Sequence, residues 1–259
     1  MRTVRIAPVF LLVAALGAFP EARVQNSPRS QAARSAASAP DISGVWARLP
    51  AEQQISISDN FTHEVPSFTP WAAERYKAAR EGVQPLHQGR EDLDPILSPY
   101  CMVPGYPRAY LRPGPIEIVQ TPSRVVMMFE GNNQWRVIYL DGRPHPEGAP
   151  PKWMGHSVGR WEGDTLVNET VGLNELAWLD SMGTPHSDVL RVEERIRSVA
   201  RDRLEIDVLF DDPKAFTKPW RGKKNWERKS DWELMEYAIC DTPQTELYVK
   251  EILEGKLGE

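Results

Sequence analysis

Ser157-Val158-Gly159-Arg160-Trp161, then Glu162-Gly163-Asp164, then Thr165-Leu166-Val167-Asn168-Glu169-Thr170-Val171 is the stretch on which the fold turns. Two runs rich in β-branched and aromatic residues flank a short polar segment whose glycine can take the positive φ of a hairpin turn. It reads as a β-hairpin. Upstream, Ile116 to Thr121, Arg124 to Glu130 and Gln134 to Leu140 are similar runs, separated by Pro122-Ser123 and by Gly131-Asn132-Asn133, and they predict a meander. Downstream, strands are expected at Val189 to Ser198, Arg203 to Phe210 and Trp226 to Ile239.

Alternation assigns the faces. Leu204, Ile206, Val208 and Phe210 share one face against Glu205 and Asp207, while Leu190, Val192 and Ile196 oppose Arg191, Glu193, Arg195 and Arg197, the period of a half-buried strand. Six or more such strands without intervening helices predict a mainly β fold, an antiparallel barrel or sandwich with a few peripheral helices. One helix is expected from Thr69, which can cap, through Pro70, Trp71, Ala72, Arg75, Tyr76 and Ala79 to Gly82. A second is expected over 246–254. Between 84 and 115 prolines recur every few residues, which excludes regular helix and predicts an extended, wrapping segment.

The amino terminus carries Arg2 and Arg5 before an uncharged apolar run, Ile6 to Phe19. A run of about 14 residues is short for a membrane span, which takes roughly 20, and the layout is that of a signal peptide. Residues 1–22 are therefore expected to be a signal peptide and 23–40 a disordered tether rich in Ala, Ser, Arg and Gln. Residues 41–259 form a single β-rich domain, periplasmic or secreted, with no membrane association after signal removal. An oxidising compartment permits Cys101 and Cys240 to pair, and two buried free thiols are the alternative. The net charge of −5 and the lack of long basic runs argue against a nucleic-acid partner. Arg221, Lys223 and Lys224 read as a solvated loop.

Several segments resemble a large family of exported bacterial proteins of unsettled function. They are Asp41-Ile-Ser-Gly-Val-Trp46, Glu117-Ile-Val-Gln120, Asp141-Gly-Arg-Pro-His-Pro146, Gly155-His-Ser-Val-Gly-Arg-Trp-Glu-Gly-Asp-Thr-Leu-Val167 and Gly183-Thr-Pro-His-Ser187. The resemblance spans nearly the whole mature chain and implies no reaction. Gly44-Val45-Trp46 also resembles the Gly-x-Trp signature that opens the first strand of lipocalin-like barrels, where the tryptophan plugs the closed end. It implies a calycin-type barrel, whose eight-strand interior admits one small ligand.

The sequence lacks the nucleophile elbow, the dinucleotide and phosphate loops, and the His-Glu-x-x-His motif, so no cofactor is expected. His145, Trp153, His156, Asp164, Asn168, Trp178, Asp180 and His186 concentrate in the middle third, where loops and strand starts carry function. His156 ranks first, as a ring that exchanges a proton near neutrality, with His186 and Asp180 as its partners. Each histidine can instead cap a turn. Asp164 reads as a turn carboxylate. Arg108 can clamp an anion, and Tyr106, Tyr110, Trp153 and Trp178 can line a pocket or anchor the proline-rich wrap. Glu130 and Arg136 read as a cross-strand pair or a polar dyad at a pocket mouth. No pair of His or Asp has a recognised ligand spacing, so no metal is expected.

The function expected on these grounds is an exported enzyme acting on a small, partly apolar or aromatic substrate by general acid-base chemistry, as a lyase, isomerase or hydrolase. A carrier of a small hydrophobic ligand on a lipocalin-like barrel is the alternative. A structural envelope protein is the third.

Overall fold

The computed structural model describes residues 39–236 apart from 50–60, 63, 81–102, 113 and 181. The expected signal peptide, most of the expected tether, both cysteines, the first part of the expected wrap and the expected C-terminal helix lie outside the described residues.

Nine strands close into one barrel in sequence order: β1 (Gly44–Arg48), β2 (Ile116–Thr121), β3 (Arg124–Phe129), β4 (Gln134–Tyr139), β5 (His156–Glu162), β6 (Thr165–Val171), β7 (Arg191–Ala200), β8 (Arg203–Asp211) and β9 (Trp220–Arg228). Closure decides between barrel and sandwich, and it leaves no long exposed edge. An odd number of strands imposes a further condition. Each antiparallel step reverses direction, so a ring of nine cannot be antiparallel throughout. The odd step is β4 to β5, which pair parallel through Ile138 with Ser157 and Tyr139 with Val158. A parallel step needs a crossover of a dozen or more residues, and residues 140–155 supply it. The expected mainly β, largely antiparallel barrel is thus what forms, with one parallel step in it and nine strands where the lipocalin resemblance implied eight.

Trp46 of β1 is fully buried, donates its indole N–H to Ile42 O at 3.0 Å and lies under the Arg228 guanidinium of β9, 4.3 Å from the ring centroid. The first and last strands are thus stapled where the barrel closes. The hairpin turn is as tight as its glycine suggests, since Glu162 pairs with Thr165 and Gly163 has φ +63°. Asp164 accepts a bond from the Thr165 hydroxyl at 2.9 Å, a turn role. The helix α1 (Pro70–Arg80) begins as expected, with the Thr69 hydroxyl accepting from Ala72 N at 3.4 Å.

The last strand departs from expectation. It begins at Trp220 rather than Trp226, because Trp220, Lys224 and Trp226 are buried in phase while Lys223 on the outer face pairs with Glu205 at 3.0 Å and Asp207 at 3.2 Å. The supposed loop of Arg221, Lys223 and Lys224 is strand. Its glycine is sterically required: a Cβ on Gly222 would lie 2.3 Å from Phe61 Cβ. Gly222→Ala is expected to cost about 1–3 kcal/mol, read as a lower urea midpoint with unchanged slope.

The barrel interior is packed. Trp46, Trp226, Phe129, Phe210, Ile116, Ile118, Met127 and Ile138 are all fully buried. A 3-10 helix, Arg108–Leu111, brings Tyr110 against Phe129, Trp226 and Phe61. The wrap is tied there by Gly105 N to Gln134 Oε1 at 3.2 Å and by Tyr106 N to Trp153 O at 2.8 Å.

Candidate active site

Alternation along β5 and β6 turns Ser157 and Thr170 inward, where their hydroxyls bond at 2.8 Å. It leaves His156 and Glu169 on the outer face, two residues apart in the ladder that pairs His156 with Val171. The crossover returns over this face and delivers His145. The two imidazoles meet with Nδ1 to Nδ1 at 2.9 Å and their planes at 74°. His145 Nε2, on the other side of its ring, lies 3.2 Å from Glu169 Oε1, off the axis of a straight hydrogen bond. Arg191 holds the other Glu169 oxygen.

One further side chain orders the dyad. Tyr139, the last residue of β4, stacks on His156 with centroids 5.4 Å apart and planes at 24°. The Arg143 guanidinium covers Tyr139 at 3.8 Å and is itself clamped by Asp141 through two nitrogens.

The Nδ1 contact constrains the protons. Two N–H groups facing each other repel, and two lone pairs repel, so one ring must donate and the other accept. Glu169 selects the direction. A lone pair on His145 Nε2 would face a carboxylate, so that nitrogen carries the hydrogen, His145 Nδ1 accepts, and His156 Nδ1 donates. The remaining lone pair is on His156 Nε2. Burial, and then the charges of His145, Lys152 and Arg143, push the His156 pKa below the ordinary 6.5, which keeps that lone pair available at neutral pH.

A groove of about 360 Å³ runs along the outer face, lined by Tyr139, Arg143, Arg160, Glu169 and Arg195; Tyr139 and Glu169 join it to the dyad, whose two rings do not line it. It opens where β4 ends and β5 continues without it.

The partners expected for His156 lie elsewhere. His186 is buried, with Nδ1 3.1 Å from Ser187 O, and the carboxylates whose charge reaches its ring are Asp212 and Glu175. Asp212 organises that corner by accepting from Ser187 N, Ser187 Oγ, Lys214 N and Ala215 N. Asp180 is also buried and accepts from Met182 N, Thr184 N and Thr184 Oγ1, which makes it the staple of a turn. It faces Arg108, whose pKa burial pushes down to about 9 and which lies 5.6 Å from the Trp178 ring centroid. The sequence spacing that suggested a triad instead forms two separate corner structures.

The Glu130–Arg136 pairing is also corrected. Glu130 ends the strand in a turn and accepts from Met235 N at 2.9 Å, whereas Arg136 points into the barrel and forms an ion pair with Glu194. Tyr106 and Tyr110 surround that pair rather than an open pocket, with the Arg136 guanidinium 4.1 Å from the Tyr106 centroid and donating to Tyr110 Oη at 2.9 Å. Burial opposes the Arg136 charge, but Glu194 outweighs it and raises the pKa above the usual range. Trp153 serves the fold through its carbonyl. Glu169, Tyr139 and Glu194 were not singled out from sequence, and His145 appeared there without a partner. Among the described residues no group of three or more His, Cys, Asp or Glu side chains is placed to hold a metal ion.

Because burial depresses the pKa of His186 and of His156, the unfolded chain takes up protons near 6.5 that the fold refuses. Stability should be full above that pH and fall as pH drops through 6.5 toward the lowered folded values. A urea midpoint lower at pH 5 than at pH 7.5, and less pH-dependent in His186→Gln, checks this.

The chain matches no family model, no curated protein and no solved structure.

Proposed function

We propose that this chain is an exported acid-base enzyme, of lyase, isomerase or hydrolase type, in which His156 Nε2 takes a proton from a small substrate on the outer face, reached from the adjoining groove past Tyr139. The observation that carries this reading is the 2.9 Å contact between His145 and His156 with Glu169 behind it. A proton gained at His156 Nε2 creates a cation that His145 accepts from and Glu169 stabilises, so the relay supports the charged form only when it is needed. Tyr139 supplies an aromatic wall for a partly apolar substrate. The filled barrel centre weighs against carriage of a lipid-sized ligand inside it.

Nitrogen NMR of the histidine rings tests the relay before any substrate is known. The expected result is an Nδ1–H tautomer for His156 and an Nε2–H tautomer for His145 above pH 7, with His156 losing that preference in Glu169→Gln. Two Nε2–H rings, the ordinary solvent tautomer, would remove the basis for catalysis here.

A further inference from the structure

The crossover from β4 to β5 is pinned at both ends by backbone bonds, Leu140 N to Ser123 O and Lys152 N to Gly172 O, each at 2.9 Å. Between those points its backbone makes no hydrogen bond to the barrel among the described residues, and of residues 142–152 only His145 is not exposed. Pro144 and Pro146 flank that residue, which removes two backbone donors and stiffens the chain on either side of the ring. Gly142 and Gly148 stand at φ +75° and +63° with open space around them, so the stretch has a pivot before and after the ring. Arg143 lies over Tyr139 at 3.8 Å, next to the first pivot. From 144 to 151 the hold on the barrel is one side chain, His145, with Nδ1 on His156 Nδ1 at 2.9 Å and Nε2 3.2 Å from Glu169 Oε1.

Two facing Nδ1 atoms tolerate one hydrogen between them. With both rings neutral, that hydrogen is present. A first added proton goes to His156 Nε2, on the outer side of its ring, and leaves the contact whole. A second has to go to His145 Nδ1, and two N–H groups of two cations then point at each other. We propose that the pair is an acid-released latch, which holds residues 144–151 against the barrel while at most one ring is charged and frees them when both are. Release bares His156 Nδ1 to solvent and parts it from Glu169, so acid surroundings take away the crossover and the dyad together.

The neighbours set the balance. Glu169 on β6, held by Arg191 of β7, favours a charged His145. Burial, then the charges of His145, Lys152 and Arg143, opposes a charged His156, and Tyr139 of β4 covers one face of that ring. The held pair thus binds fewer protons than two free rings, so the held form is favoured above 6.5 and the free form gains as pH falls below it. One extra proton at a ring of ordinary pKa multiplies the free-to-held ratio by roughly 25 between pH 7 and pH 5. A single hydrogen bond favours the held form by roughly two- to twelvefold, so the balance reverses over that span.

Backbone nitrogen relaxation of the purified protein reads the latch at Glu147, Gly148 and Ala149. Order parameters near the rigid value of about 0.85 are expected at pH 7.5 and values below about 0.6 at pH 5, with the ring-to-ring NOE of His145 and His156 lost over the same range. Amides of Leu204 to Phe210 on β8 should stay rigid at both, which separates release from unfolding. His145→Ala should leave the crossover loose at both pH values. His156→Gln should keep it held at both, because a glutamine amide can donate to a neutral His145 Nδ1 or accept from a protonated one. An equally ordered crossover at pH 5 in the parent, order that survives His145→Ala, or acid release that persists in His156→Gln would overturn the latch. It needs the ring contact and no catalysis: turnover that survives His156→Gln would end the proposed chemistry and leave the latch standing, and a crossover still held at pH 5 would do the reverse.

Discussion

Arg136→Met alone is expected to destabilise the domain by about 3–5 kcal/mol, the usual effect of stranding one member of a buried ion pair. Removing the guanidinium leaves Glu194, 0% exposed, with a charge or a proton and only the Tyr106 and Tyr110 hydroxyls beside it. It also takes the donor from Tyr110 Oη and the cation from the Tyr106 face. Against a total stability of about 5–15 kcal/mol for a domain, that loss leaves a marginal fold. Glu194→Leu should cost a similar amount, because the buried guanidinium is then unpaired. The double variant is the informative one. With both charges gone, methionine and leucine fill comparable volume, and stability should return to near the parent value. Urea unfolding of the four proteins gives the coupling directly. A double variant as unstable as the sum of the singles would mean that the pair holds the barrel by shape rather than by charge.

His156→Gln is expected to lose about 100-fold or more in turnover, the ordinary contribution of an acid-base side chain, while melting within about 1 kcal/mol of the parent. Glutamine can still bond to His145 Nδ1, so the crossover stays in place, but it cannot take a proton near neutrality. The pH profile carries the sign. In the proposed reaction the working form is the neutral ring, and the folded pKa lies below 6.5, so parent activity should hold as pH falls through 6.5 and decline only further toward acid. The substrate comes from metabolite capture on the purified protein. A captured ligand whose affinity has the same pH dependence in parent and variant would move the chemistry away from this ring.

How the site came to be only partly legible is a matter of particular residues. His156 could be named because glycine, a strand start and a nearby tryptophan mark it locally. Its partners could not, since His145 arrives by the crossover and Glu169 by hairpin register. The signal for Glu169 was nonetheless present: a two-residue turn that pairs Glu162 with Thr165 puts Glu169 opposite Val158, next to His156 on the same face. The Asp180–His186 pairing was an inference from nearness in sequence; Asp180 instead accepts from the Thr184 hydroxyl and two backbone amides, and His186 lies against the Ser187 carbonyl. Glu194 was the most readable omission. It lies in phase with Val192 and Ile196 on the apolar face of β7, as Arg136 does with Ile138 on β4. A charge in an apolar phase demands a partner of opposite sign in the same interior.

Alternation and turn chemistry are local, and they alone determined that the chain is mainly β, where most strands run, which faces are apolar, and that residues 162–165 turn sharply. These follow from side-chain period and from the φ a glycine permits, neither of which depends on distant residues. Tertiary structure decided the rest. Ring closure between β1 and β9, the parity that forces one parallel step, and the crossover that step requires depend on how all nine strands meet. The contact of His145 with His156 and that of Arg136 with Glu194 are set by this closure, because no local rule brings together residues whose neighbourhood exists only once the ring is complete.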